Sequence, residues 1–493
     1  MSAESTFERE AALSPRAVPL CVNLDRTLVR NDPRAEWILA IVGNPRRWSD
    51  ALKRRVRGRG KDEVAAGFDP ALLAYNEPLI TYLRLQRQQG RALVLVTEDD
   101  SGLGHAVARH VGLFDEVIVV PSRGRSAVEA RAKALVERFG RGDFAYAGSD
   151  GSDLPIWKAA HSVVVVNSSR ATRDSARKQA LVEAEIGDRP SVVRSAWRAM
   201  RPHQWVKNLL VFVPMIMARA IWQFDSWTNA FFMFCAFCAT ASCIYIINDM
   251  SDLAADRRHP RKRLRPFASG ALPLSYGLVL ALVLLLVGMA FSLATGTLPI
   301  IVVYAIASIG YSLALKEFPL VDVFILAGLY TIRIIGGGLA TGNAASMWLL
   351  AFSGFLFLSL ALLKRIQELV AGPRSSVELG PTRRGYRRGD ETILQIFGCA
   401  SAFASSVVLA LFVGSTAASA QYRYPELLWC VVPVILFWQC RLWLSTARGY
   451  MVDDPIVYAT RDWVSWTAGA CVLVVLAAAA YGLGSMAWLL GRQ

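Results

Sequence analysis

The stretch Asn248-Asp249-Met250-Ser251-Asp252-Leu253-Ala254-Ala255-Asp256 follows directly on an apolar run of bilayer length. On a helix, Asn248, Asp252 and Asp256 recur at i, i+4 and i+8 and share one face, with Asp249 beside them. Carboxylates crowded in this way repel one another unless a cation neutralises them. Oxygen-only donors select a hard cation, and Mg²⁺ normally completes its octahedron with substrate phosphates. The cluster therefore reads as a clamp for Mg²⁺ and a diphosphate, with Asp249, Asp252 and Asp256 as catalytic residues and Asn248, Asp252 and Asp256 as metal ligands. Arg257, Arg258, His259, Arg261, Lys262, Arg263 and Arg265 come next. They suit the remaining oxygens of a polyanion. A solvated loop at a membrane exit accounts for the arginines but not for the regular acid spacing.

Outward from this stretch, the 493 residues are 54% apolar and 19% charged, and the mean hydropathy is +0.35. That composition excludes a disordered, collagen-like or disulfide-stapled chain. The apolar residues concentrate after about residue 205, while residues 1–200 have the balance of a soluble domain. Nine segments have bilayer length, near 206–222, 228–247, 272–293, 297–315, 320–340, 346–363, 392–414, 425–445 and 464–488. Basic residues gather in the loops after the second, sixth and eighth of them. By the positive-inside rule these loops and the N-terminal domain face the cytoplasm. No secretory signal is visible, so the expected location is the inner, cytoplasmic membrane, crossed many times. The net charge of +15 is then loop charge facing a bilayer, and nucleic acid is not expected as a partner. Cys235 and Cys238 form a CxxC without a second pair at zinc spacing, which favours packed helix residues.

Residues Ser191–Arg201 place Val192, Val193, Ala196, Trp197 and Met200 on one helical face, which suits either an interfacial helix or a plain linker helix. Arg333 lies within the fifth apolar segment, where a charge is costly and is usually functional or paired. Gly336-Gly337-Gly338 after it allows close helix approach. Lys207, Lys316 and Lys364 each end an apolar segment, as snorkelling anchors also do.

Asn248-Asp249-x-x-Asp252-x-x-x-Asp256-Arg257-x-His259-Pro260-x-Lys262-Arg263-x-Arg265-Pro266-x-x-Ser269-Gly270 resembles the first aspartate-rich motif of the UbiA superfamily of intramembrane prenyltransferases. The resemblance covers about residues 200–493 and implies an all-helical membrane domain. Arg201-Pro202-x-Gln204-Trp205-Val206-Lys207-Asn208, Tyr311-Ser312-x-x-Leu315-Lys316, Asp322, Arg333 and Lys364-Arg365-x-x-Glu368-Leu369 look most like the polyprenyl-phosphate phosphoribosyltransferase branch. Lys364 to Leu369 stands where the superfamily carries its second acidic motif, yet no second Asp-x-x-x-Asp repeat is present. Direct cationic binding of phosphates is implied there, and the expected substrate phosphate-binding residues are Lys207, Arg257, Lys262, Arg265, Tyr311, Lys316, Arg333, Lys364, Arg365 and Glu368.

Residues 18–167 alternate short apolar runs with helix-length segments, an α/β pattern. Polar residues follow the runs: Asn23-Leu24-Asp25-Arg26-Thr27, Thr97, Lys133 and Gly148-Ser149-Asp150-x-x-Asp153. Their order resembles the haloacid dehalogenase-like phosphatases over residues 16–168. That family's nucleophilic aspartate is replaced by Asn23, and an amide cannot form the acyl-phosphate. Asp25, Thr97, Lys133, Asp150 and Asp153 match the other positions, so the resemblance implies a retained scaffold and a lost nucleophile.

The expected organisation is a haloacid dehalogenase-like domain over 1–168, a linker with an interfacial helix over 169–204, and a UbiA-like domain of about nine helices over 205–493. Three activities compete. The first is transfer of phosphoribose from phosphoribosyl diphosphate to a polyprenyl phosphate. The second is prenylation of an aromatic acid by an allylic diphosphate. The third, a non-enzymatic membrane scaffold or transporter, is disfavoured because transporter sites lie near the bilayer midplane.

Overall fold

The computed structural model describes residues 18–31, 36, 69–98, 102–120, 126–187, 190–370, 385–451 and 454–482. Arg374, Arg383 and Arg384 of the basic loop after the sixth expected segment, and the end of the ninth, lie outside them. The chain divides into two compact units, Met1–Met200 with Tyr245–Ala281, and Arg201–Ile244 with Leu282–Gln493. The acidic stretch therefore belongs with the N-terminal α/β residues, whereas the expected division at 204/205 leaves it with the membrane half.

In the first unit, β1 (Leu20–Asn23), β2 (Leu93–Thr97), β3 (Glu116–Val119), β4 (Ala145–Gly148), β5 (Ser162–Val166) and β6 (Leu181–Ile186) form one parallel sheet. Its order is β3-β2-β1-β4-β5-β6. β1, β2, β4 and β5 are buried along their whole length. A parallel strand covered on both faces needs such unbroken apolar runs. Alternation then sends Leu20, Val22 and Leu95 into one core and Cys21, Val94 and Val96 into the other. Burial pushes the Cys21 thiol up to about 12, so it stays protonated as a packing residue. The order reverses between β1 and β4, and that crevice is where ligands of doubly wound sheets bind. Residues expected as linker supply helix Arg170–Gln179 and β6, the latter paired with β5.

Among the described residues, seven helices are long and apolar enough to cross a membrane: Phe224–Ser251, Leu274–Ala294, Val321–Ala340, Met347–Val370, Glu391–Val413, Pro425–Ala447 and Trp463–Tyr481. Leu298–Leu313 is a shorter apolar helix. The stretch expected as the first span is not one helix. It breaks into 3₁₀ segments Pro202–Phe212 and Ala220–Trp222 around a short helix, Val213–Met217. Proline at positions 202 and 214 and the left-handed φ of Arg219 stop a continuous helix. The expected nine segments thus correspond to seven long helices, one shorter helix and this broken stretch.

In the second unit, helix Val321–Ala340 packs against Met347–Val370 and the broken stretch. Its glycines make the approach possible. A Cβ on Gly337 would sit 2.0 Å from the Val211 carbonyl oxygen, a backbone atom that cannot rotate away. Gly337→Ala is expected to destabilise the fold by roughly 1–3 kcal/mol through overpacking. A thermal unfolding midpoint of the detergent-solubilised variant equal to that of the parent would contradict this close approach.

Candidate active site

Helix Phe224–Ser251 leads into Leu253–Arg258 with a turn at Asp252. The helical hydrogen bonds survive the turn: Asp252 N donates to Asn248 O at 2.9 Å and Asp256 N to Asp252 O at 2.8 Å. Asn248, Asp252 and Asp256 therefore keep their expected spacing. The side chains group differently. Asp249 and Asp256 are buried, and Arg265 Nη1 donates to both, at 3.1 and 2.7 Å. Asn248 and Asp252 are half-buried. Among the described residues, no three acidic, histidine or cysteine side chains are gathered closely enough to hold a metal. The donors themselves are all oxygens, so their chemistry fits a hard cation such as Mg²⁺, with Arg265 holding two of the acids between them.

Arg257, expected to bind phosphate, is placed in a network within the protein. It forms a two-pronged pair with Glu36, at 2.8 and 2.5 Å, and donates to the Leu72 and Ala268 carbonyls at 2.8 and 3.0 Å. Each of its guanidinium nitrogens is engaged inside the protein. Lys262 is exposed, in the 3₁₀ turn Lys262–Leu264, and Lys316 is half-buried.

In the second unit, Lys207 and Lys364 converge on one carboxylate. Both ammonium groups donate to Asp454 Oδ2, at 2.8 and 3.0 Å. Burial acts to raise the Asp454 carboxyl, but Lys364 and Lys207 outweigh it and hold it well below the usual carboxylate range. Asp454 escaped the sequence reading. Its signal was an aspartate before Pro455 at a helix start, where its side chain caps Ile456 N at 3.2 Å.

Arg365 is almost wholly buried. Its Nε lies 2.5 Å from Asp322, its Nη2 donates to Tyr311 at 2.8 Å, and it pairs with Glu368 one turn on. Tyr386 donates to Asp322 at 2.5 Å and accepts from Leu320 N at 2.8 Å. Arg333, expected to bind phosphate, is placed among protein groups. It donates to Asn208 Oδ1 at 2.7 Å, Tyr304 at 3.1 Å and its own helix's Leu329 carbonyl. Its guanidinium also lies 4.9 Å from the Tyr304 ring centroid and 5.6 Å from that of Phe237, so its charge is met by helix packing. An apolar cavity of about 470 Å³ in the same unit is lined by Val213, Ile216, Trp438, Ile456, Trp466 and Leu473 among others.

At the carboxyl edge of the sheet stand Asn23, Asp25, Thr97, Asp150 and Asp153. Asn23 and Thr97 end β1 and β2 and are buried. Asp153 accepts from Ser149 N and Asp150 N at 3.1 and 3.3 Å. Burial, only partly offset by Arg131, pushes its carboxyl up to about 6. Arg26 reaches Asp150 at 3.4 Å. Lys133 is not part of this edge: it is exposed and lies 3.7 Å from Glu137 on its own helix. Ala127, Arg131 and Leu135 form the buried face of that helix, and two residues onward the direction reverses. Arg131, paired with Glu98 at 3.1 Å, is a buried cation near this edge.

The chain is similar in sequence to known proteins. The uncharacterized protein y4nM of Sinorhizobium fredii is 34% identical over 93% of this chain and 90% of its own length. Nodulation protein NoeC of Azorhizobium caulinodans is 35% identical over 54% of this chain and 86% of its own. Decaprenyl-phosphate phosphoribosyltransferase of Corynebacterium glutamicum is 35% identical over 38% of this chain and 59% of its own. Residues 209–450 match the model of the UbiA prenyltransferase family. With that match and its series of long apolar helices, the chain belongs to the UbiA prenyltransferase family and is a multi-pass membrane transferase.

Proposed function

We propose that this transferase moves phosphoribose from phosphoribosyl diphosphate to a polyprenyl phosphate. The observation that carries the reading is the pairing of Lys207 and Lys364 on the single carboxylate of Asp454. Two ammonium groups for one carboxylate leave a net positive charge in a largely buried setting, which suits a phosphate. An allylic diphosphate has no phosphate beyond its leaving group, whereas phosphoribosyl diphosphate carries a further one at C5. The similarity to decaprenyl-phosphate phosphoribosyltransferase supports the same choice. Asn248, Asp252 and Asp256 would hold Mg²⁺, with Asp249 beside them. When bound, Mg²⁺ supplies charge neutralisation for the departing diphosphate. Arg265 keeps Asp249 and Asp256 together, and Arg365 holds Tyr311 and Glu368. The apolar cavity suits part of a polyprenyl tail.

The N-terminal sheet, in this reading, is a haloacid dehalogenase-like scaffold that does not hydrolyse phosphate esters. The amide of Asn23 lacks the nucleophilic oxygen the chemistry requires. The full chain should release no inorganic phosphate from a phosphate ester. Metal-dependent release abolished by Asp25→Ala would contradict that assignment.

For the transferase itself, purified protein with Mg²⁺ and polyprenyl phosphate is expected to take up label from phosphoribosyl diphosphate. A parallel reaction with an allylic diphosphate and 4-hydroxybenzoate tests the competing activity, and turnover there alone would overturn the choice of donor. Asp252→Ala and Asp256→Ala should each lower turnover about a hundredfold or more. Lys364→Ala should raise the KM for the donor and leave that for the lipid unchanged.

Asp454→Asn would leave two lysines without their counter-charge, at a cost of roughly 3 kcal/mol. A carboxyl held below its ordinary range stabilises the fold above the unfolded value of about 4, and that contribution is lost as pH falls. The parent's lead over Asp454→Asn in thermal unfolding should therefore be full at pH 7 and shrink below about pH 4. A constant difference across that range would remove Asp454 from this role.

A further inference from the structure

Glu36 and Arg257 are 221 residues apart in sequence yet form a buried, two-pronged ion pair within one compact unit. Side-chain exposure is 6% for Glu36 and 9% for Arg257. Neither charge fits the transfer chemistry directly, because each is consumed by the other. The surroundings show what the pair holds. Arg257 Nε donates to the Ala268 carbonyl and Nη1 to the Leu72 carbonyl. Asn31 Nδ2 donates to Glu36 at 2.9 Å and to the Phe267 carbonyl at 3.3 Å. Gly270 has a φ of +70°, and a Cβ there would come 2.5 Å from the Arg30 Cβ. The N-terminal residues 30, 31, 36 and 72 thus grip both limbs of the loop that carries Asp256 and Arg265.

Asp256 immediately precedes Arg257, and Asp256 is joined to Asp249 through Arg265. Fixing Arg257 fixes the short helix Leu253–Arg258, and fixing Ala268 and Phe267 fixes the strand of chain on which Arg265 sits. We propose that Glu36 is a positioning residue for the transferase: through Arg257 it sets the acidic loop, making the N-terminal domain part of the catalytic assembly. The inference rests on the acidic loop's role proposed above. The domain acts here through a salt bridge and not through its sheet edge.

The test uses the full-length protein in detergent, with two independent readouts. Hydrogen exchange follows the Ser269, Gly270 and Leu272 amides, which donate to Arg265, Phe267 and Pro266 carbonyls. Steady-state assays follow the Mg²⁺ concentration needed for half-maximal turnover and the KM for polyprenyl phosphate. Glu36→Leu is expected to speed exchange at these amides about tenfold or more. It should also raise the half-saturating Mg²⁺ about tenfold at unchanged lipid KM. Glu36→Leu/Arg257→Leu should lie closer to the parent in exchange, since no charge is left buried alone. Unchanged exchange in Glu36→Leu, or slower turnover with unaltered Mg²⁺ dependence, overturns the proposal. Should Glu36→Leu fail to fold, Asn31→Ala must produce the same changes at smaller size, and parent-like exchange in that variant also overturns it. A parent protein inactive on every donor refutes the proposed transfer, while the exchange data still decide whether Glu36 holds the loop.

Discussion

Arg265 donates to Asp249 at 3.1 Å and to Asp256 at 2.7 Å, placing one cation between two buried carboxylates. An isolated buried charge costs several kcal/mol, so such charges need polar or ionic partners. The same constraint operates in the second unit with the signs exchanged, where Asp454 lies between Lys207 and Lys364. Arg365 and Asp322, both almost wholly buried, form a third such group. In these two groups one ion serves two of opposite sign: Arg265 two acids, and Asp454 two lysines. In the reading proposed above, the acids attract a metal ion and the lysines a phosphate. The stoichiometry of these groups therefore says more about their use than the count of charges along the sequence.

Much of the fold was legible because its signals are local. Leu20–Asn23, Leu93–Thr97 and Ser162–Val166 are apolar, β-branched runs of strand length, and all three are buried strands. Seven of the apolar segments read from the sequence are long helices. β6 was missed because Leu181–Ile186 alternates apolar with acidic residues, as an edge strand does, and resembles a linker. The broken stretch at 202–222 was read as a span because hydropathy does not register where proline and a left-handed residue interrupt a helix. Arg131 and Lys133 differ only in which helix face they occupy, and the face was decided by a sheet that no local pattern describes.

The candidate site was legible in its membership more than in its pairings. Asn248, Asp249, Asp252 and Asp256 do lie on consecutive turns, and Lys207 and Lys364 do share a partner. That Arg265 joins Asp249 to Asp256 depends on a loop fold within the unit. That Arg257 is occupied depends on a residue 221 positions away. Asp454 lies 247 and 90 residues from its two lysines. Spacing rules work within a helix turn, so contacts of this range leave no trace in the pattern of a single sequence.

The replacement of a nucleophilic carboxylate by Asn23 acquires a physical reading from these contacts. Hydrolysis at the sheet edge would draw on Asn23, Asp25, Asp150 and Asp153, with Thr97 and Arg131 about them. The grip on the acidic loop draws on Arg30, Asn31, Glu36 and Leu72, which follow β1 or lead into the next helix. The two sets share no residue. An amide at position 23 removes a phosphoryl acceptor and leaves β1, its apolar faces and the loop-gripping residues untouched. In the reading proposed above, the sheet keeps its full core and its hold on the acidic loop without hydrolytic chemistry at its edge.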